Sequence, residues 1–299
     1  MRNSFPMQPA VQRSEFHAVR DGLDLHCIVW EPQPNGGHAP FLLVHGLASN
    51  ARLWDGVARH LTDLGHPVVA VDQRGHGRSS KPDDGFDMAT VAHDLELLID
   101  SLGFERPVVV GQSWGANVVI ELAHRSPASV RGVVAVEGGT IHLRRHFPDW
   151  NDCAQQLAPP NLAGTAHARF ESAIRAAHPD WPEEGIAGAI ATMEKLPDGT
   201  IRPWLSRDRH MKILRGLWEH EPESLFPDIN VPVMFMPAVG DHHARGWAAD
   251  KRDAVERALR LIPRATVSWY HGADHDLHAQ HPRRVAQELH EETQGGLFS

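Results

Sequence analysis

The sequence predicts an α/β fold: a mostly parallel, eight-stranded sheet covered by helices, with a helical segment inserted after the sixth strand. Three observations predict it. Apolar runs at Phe41–Val44, 67–71, 108–110, Gly132–Val136 and 232–236 are continuous rather than alternating, as in strands buried on both faces. Helical apolar spacing fills the stretches between them, at 53–64 and Met88–Leu102. That alternation then stops after Val136 and resumes only near residue 228.

The elements follow in order. Residues 15–20 and 23–30 alternate and are joined at Asp21-Gly22, a hairpin signal. A Pro/Gly-rich loop, 32–40, leads into the strand Phe41–Val44. The helix Met88–Leu102 ends at Gly103, a C-terminal stop signal. The last strand is expected at 266–269. Between residues 139 and 227 no buried strand is evident, and helices are expected at 150–157, 165–177, 182–194 and 207–220. A small Asp-Gly turn is expected within 196–204. Trp150, Trp181, Trp204 and Trp218 all fall in this segment. The division is therefore 1–138 core, 139–227 helical cap and 228–299 core, the cap roofing an apolar pocket and excluding water.

Composition narrows the function. A chain of 299 residues with a net charge of −9 is unsuited to a nucleic-acid or anionic-membrane surface. No apolar stretch approaches the roughly 20 residues that span a bilayer, and the polar start lacks a signal-peptide core. A cytoplasmic location is expected. Cys27 and Cys153 are the only cysteines, so a disulfide framework is not. Histidine is abundant, with His242-His243 and His275, His278 and His281 clustered, yet no ligand spacing such as H-E-x-x-H occurs. No metal and no cofactor is implied. The expected partner is a small-molecule substrate, and the chain is a monomer or homodimer.

The chemistry concentrates at Gly111-Gln112-Ser113-Trp114-Gly115. A buried strand runs into an amphipathic helix, with a serine on the turn between them. Glycine two residues either side of Ser113 permits so sharp a turn. The helix N-terminus offers free N–H groups where an oxyanion would form. His45-Gly46 ends the third strand, which puts a loop beside this turn. The N–H groups of Leu47 and Trp114 are the expected oxyanion donors. Gly46 is expected to let the substrate approach the backbone, and Trp114 to stand on the pocket wall. His45 reads as a brace for the loop rather than a catalytic group. Asp72-Gln-Arg-Gly-His-Gly-Arg-Ser79 lacks the spacing and lysine of a nucleotide loop. It reads as a turn held by Asp72 and Arg74.

Together these motifs resemble the α/β-hydrolase superfamily, in the branch with a helical cap after the sixth strand. The resemblance runs from Glu15 to the C-terminus and rests on His45-Gly46, the Asp72–Ser79 turn, the Gly111–Gly115 elbow and a late Gly272-x-x-His275. The order Ser…Asp/Glu…His fits as well. The resemblance implies Ser113 as nucleophile, His275 as general base and Asp241 as the acid that orients it. It leaves Glu137, at the end of the sixth strand, as an alternative acid. His242-His243-Ala244-Arg245 departs from the apolar, proline-bearing stretch usual after that aspartate.

The implied activity is hydrolysis of a small, largely apolar carboxylic ester or lactone through an acyl-enzyme. Dehalogenases and epoxide hydrolases of this fold attack with aspartate, and the latter also use cap tyrosines; here the elbow holds serine and Tyr270 is the only tyrosine. Alternatives are a carbon–carbon bond hydrolase, an iminopeptidase drawing on Glu171, Glu183, Glu184 or Glu194, and a slow-turnover ligand receptor. Perhydrolysis is compatible with any of these.

Overall fold

The computed structural model describes residues 11–20, 22–32, 37–239 and 245–299. The chain opens with an antiparallel hairpin, β1 (Val11–Arg20) and β2 (Leu23–Glu31), whose turn includes Gly22 at φ 73°. Then come β3 (Phe41–Val44), α1 (Asp55–Asp63), β4 (Val68–Val71), α2 (Met88–Leu102), β5 (Val108–Gln112), α3 (Trp114–Arg125) and β6 (Gly132–Val136). A long excursion follows: α4 (Leu143–His146), α5 (Trp150–Gln156), α6 (His167–Ala177), α7 (Glu183–Ile190), β7 (Met193–Lys195), β8 (Ile201–Pro203) and α8 (Arg207–Glu219). The chain returns through β9 (Val233–Met236), β10 (Ala238–Val239), α9 (Arg245–Leu261), β11 (Ala265–Val267), β12 (Tyr270–His271), α10 (Leu277–Gln280) and α11 (Pro282–Gln294).

Eight strands form one sheet in the order β1-β2-β4-β3-β5-β6-β9-β11. β1–β2 and β2–β4 are antiparallel, and every other pair is parallel. Successive strand residues point to opposite faces. Leu42 and Val44 therefore join the core under α2 and α3, while Phe41 and Leu43 join the one under α1 and α11. Both faces being covered explains why the strands carry continuous apolar runs. Cys27 and Cys153 are free and buried. No helix among the described residues is long and apolar enough to cross a membrane.

Two expectations need correction. The helix expected over 182–194 stops at Ile190, and Met193–Lys195 instead pairs with Ile201–Pro203. The Asp-Gly turn between them decides this: Gly199 takes φ 83°, and Asp198 Oδ1 accepts from Thr200 N at 2.9 Å. The last sheet strand ends at Val267, two residues before the expected end, and Tyr270–His271 pairs with Ala238–Val239 outside the main sheet. Helix α9 was not foreseen in the sequence.

Both ends of the inserted segment are pinned to α3. Asn117 Oδ1 accepts from Gly139 N at 2.9 Å, and its Nδ2 donates to Ile141 O at 2.8 Å and to His220 Nδ1 at 3.0 Å. With Nδ1 accepting, His220 Nε2–H is free to donate to Glu121, 3.2 Å away.

Candidate active site

Ser113 sits at φ 53°, ψ −119° between β5 and α3, a left-handed conformation rare for a residue with a side chain. Its neighbours explain how the chain tolerates it. A Cβ on Gly111 would lie 2.2 Å from Gly115 O, and one on Gly115 would lie 2.4 Å from His45 O. Gly138 is constrained likewise, since a Cβ there would meet Ser113 O at 2.3 Å. Ser113 N donates to Val136 O at 2.9 Å, tying the elbow to the end of β6. The strain is held in place by close backbone packing on three sides.

The loop after β3 is equally fixed. His45 Nδ1–H donates to Gly46 O at 2.8 Å, and its Nε2 accepts from Gln73 N at 3.0 Å. Burial holds His45 below the ordinary histidine range, consistent with this neutral tautomer. It braces the loop, as its sequence context indicates. Ala48 takes φ 65° and gives its N–H to His76 Nε2 at 3.2 Å. No hydrogen bond among the described residues uses the N–H of Leu47 or of Trp114. Both remain available beside Ser113.

The turn after β4 is built on two carboxylates. Asp72 accepts from Ala51 N at 2.8 Å, Arg78 N at 3.0 Å and His26 Nδ1 at 2.8 Å. Though desolvation opposes ionisation, these donors bring it down to about 2. Arg74 forms a buried double contact with Asp94.

Two cavities meet at Ser113 and His275, which line both. The larger, about 610 Å³, extends under α4 and α8 between Ile141, Leu143, Leu157, Leu214 and Phe235. Arg145 and Arg257 line it too, sharing the carboxylate of Glu223. The smaller, about 250 Å³, is bounded by Leu47, Leu53, Ile174, His178 and Trp181. Its roof is tied to the loop after β12 by Trp181 Nε1, which donates to Asp274 at 3.1 Å. Nothing in the sequence marks His178, Arg145 or Arg257 as pocket residues; the first two depend on how the inserted helices fold back, and Arg257 reaches the cavity from α9.

His275 lies on the exposed loop after β12, and its carbonyl accepts from Gln112 Nε2 at 3.2 Å. No hydrogen bond links it to Ser113 Oγ, a common state before substrate binds. Its neighbour His278 is fully buried against the Trp54 ring at 4.1 Å and lines neither cavity. Burial lowers it to about 3. His281 is half-buried beside the Tyr270 ring. Among the described residues no group of three His, Cys, Asp or Glu is placed to hold a metal ion.

Asp241 lies outside the described residues. The chain leading to it is placed: Val239 pairs with His271, and Gly272 N donates to Val239 O at 2.7 Å. Glu137 lines the larger cavity, at φ 49°. Its carboxylate takes Lys251 Nζ at 2.5 and 2.8 Å and Ala238 N at 3.2 Å.

Two expected substrate contacts are placed elsewhere. The Trp114 side chain is fully buried, stacks on His76 at 5.5 Å and lines neither cavity. The helix start turns it inward while leaving its N–H at the elbow. Gly46 is also buried and lines neither cavity; a Cβ there would lie 2.3 Å from Gln112 Oε1 and 3.0 Å from Ser113 Cβ. Glycine is needed there to let the elbow pack.

A family model of the alpha/beta hydrolase fold matches residues 39–166, which contain β3 through β6 and the elbow. The chain is 28% identical over 269 residues to a 2-(acetamidomethylene)succinate hydrolase of Mesorhizobium japonicum, covering 90% of this chain and 93% of that one. It is 25% identical to a non-heme chloroperoxidase of Streptomyces lividans, over 90% and 95% of the two chains. The crystal structure of E-2-(acetamidomethylene)succinate hydrolase superposes with a TM-score of 0.76 at 24% identity, covering 94% of this chain and 98% of that one. The chain has the α/β-hydrolase fold, and residues 39–166 match that family's model. The chain is an enzyme.

Proposed function

We propose that this enzyme is a serine hydrolase that cleaves a small carboxylic ester or lactone through an acyl-enzyme. The observation that carries the reading is the strained Ser113, facing with His275 the point where two cavities join. Ser113 Oγ attacks the carbonyl carbon while His275 takes its proton. The N–H groups of Leu47 and Trp114 receive the oxyanion. His275 then protonates the leaving group, and a water activated by the same imidazole releases the acid. Asp241 orients the imidazole in this scheme. Support comes from Glu137, whose carboxylate is engaged by Lys251, and from Val239, which brings the chain alongside the strand leading to His275. The mostly apolar walls of the larger cavity suit the acyl group, and the smaller cavity suits the leaving group. Residues 139–227 act as the cap over both.

A second substrate bond has specific support. The Mesorhizobium relative is named for an acetamidomethylene substrate, so an amide is the first alternative to an ester. The same site handles either. Parallel assays with nitrophenyl esters, lactones, anilides and dienoic diketones, on wild type and Ser113→Ala, test the proposal. Ester or lactone turnover that vanishes in the variant supports it. Turnover confined to the diketones, or tight binding without turnover, contradicts it.

A further inference from the structure

A Ser-His-Asp relay lies outside the two cavities at Ser113. Asp72 Oδ2 lies 2.8 Å from His26 Nδ1, and His26 Nε2 lies 2.7 Å from Ser14 Oγ. The three residues come from the turn after β4, from β2 and from the edge strand β1. Asp72 is ionised and accepts backbone N–H groups besides His26, so Nδ1 carries the imidazole proton. Nε2 is then the acceptor, and the Ser14 hydroxyl donates to it. Both distances fall in the range of working nucleophile–base–acid relays. His26 and Asp72 are buried at 4% and 3% exposure, whereas Ser14 is exposed. A rigid base thus serves an accessible hydroxyl.

The relay opens on its own cavity of about 490 Å³, which shares no residue with either cavity at Ser113. Ile28, Met193 and Trp204 give it an apolar wall, and Arg13, Arg52 and Arg78 give it positive charge. Arg13 is shared by Glu15 and Glu31, and Arg52 by Asp55. Arg78 makes no ion pair among the described residues. Its guanidinium lies over the Phe16 ring, and Nη1 donates to Ser14 Oγ at 3.3 Å. A cation beside the hydroxyl favours its deprotonated form and stands where an oxyanion would develop.

We propose that Ser14 is a second nucleophilic serine, activated by His26 and Asp72, that takes small carboxylic esters bearing a negative charge. In the acylation step a bond forms between Ser14 Oγ and the carbonyl carbon. The bond from that carbon to the leaving oxygen breaks. The hydroxyl proton passes through His26 Nε2 to the departing alkoxide, and water reverses the sequence. Arg78 supplies the preference for charge.

The test uses fluorophosphonates, whose fluoride leaves as the serine oxygen bonds to phosphorus. Ser113→Ala is exposed to one probe ending in a carboxylate and to a neutral one of equal length. The expected result is one equivalent of label on Ser113→Ala, mapped to Ser14, and none on the Ser113→Ala/Ser14→Ala double variant. Arg78→Ala in the Ser113→Ala background should slow the anionic probe about tenfold relative to the neutral one. Melting curves confirm that each variant is folded, and Ser14 is exposed enough for its replacement to be benign. The proposal is overturned if folded Ser113→Ala takes no label at Ser14, or if the label survives Ser14→Ala. An unchanged ratio of the two probes in Arg78→Ala overturns the anionic substrate class.

Discussion

Ser113 concentrates the argument at the level of single residues. Its hydroxyl is held by strain of roughly 1–3 kcal/mol that the surrounding glycines make tolerable. Ser113→Ala should lower kcat on neutral esters by about 10⁶-fold, leaving only what binding and the oxyanion donors provide; steady-state assays read this directly. The two carboxylates are separable in the same way. Asp241→Asn should cut kcat by about 10⁴-fold with the fold intact. Glu137→Gln should keep most of kcat and lose stability instead, because Lys251 then faces a neutral partner. The opposite pattern in kcat would transfer the acid role to Glu137. What the sequence discloses here is local. The elbow glycines, the bracing role of His45 and the Asp72 turn follow from adjacent residues. The inward facing of Trp114 and the tight packing against Gly46 do not, since both depend on helix phase and on neighbours distant in the chain.

At the level of elements, close backbone approach governs the site. Gly115→Ala drives a methyl to 2.4 Å from His45 O, in a place with no flexible side chain to yield. It should destabilise by roughly 1–3 kcal/mol and impair turnover, as measured by chemical denaturation and assay. Gly103→Ala is the control: nothing lies within 4 Å of its Cβ, so only the φ 64° strain is felt, at about 1 kcal/mol, with turnover unchanged. Asn117 governs the inserted segment. Asn117→Ala leaves Gly139 N and Ile141 O without their partner, at roughly 1–3 kcal/mol, and should raise KM more than it lowers kcat because both hinges loosen. Strand runs were legible because burial on both faces forces continuous apolar sequence. The 193–203 hairpin was not, since its strands are short and mostly half-exposed and carry no such run. Helix α9 was hidden for a related reason: its described inward positions include Ala254, Val255 and Ala258, a stripe of small residues among many charges.

The whole molecule has an acid-labile balance. Burial keeps His66 and His210 at about 4 and His278 at about 3, and also lowers His45 and His76. In the unfolded chain each would titrate near 6.5. As pH falls below that value the unfolded state takes up protons that the folded state refuses. Stability therefore declines, by about 1.4 kcal/mol per pH unit for each such histidine, down to its folded value. Asp55, raised to about 6 by burial, and Asp276, also raised by burial, act in the opposite direction. Asp72, lowered to about 2, adds a further loss between the ordinary 3.8 and 2. Melting temperature should fall steadily from pH 6.5 to 5; a flat profile would contradict the neutral, buried assignment. The histidine count is visible in the sequence, but which of the 22 are buried is a property of the finished packing.

The central claim is that turnover runs through Ser113. The most direct measurement titrates the wild-type enzyme with a limiting neutral organophosphonate, following hydrolysis of a neutral ester and, by peptide mass spectrometry, occupancy of Ser113. The account predicts that activity falls in proportion to Ser113 occupancy and reaches zero at one equivalent there. Activity that persists with Ser113 fully occupied, or that is lost while Ser113 stays free, would contradict it.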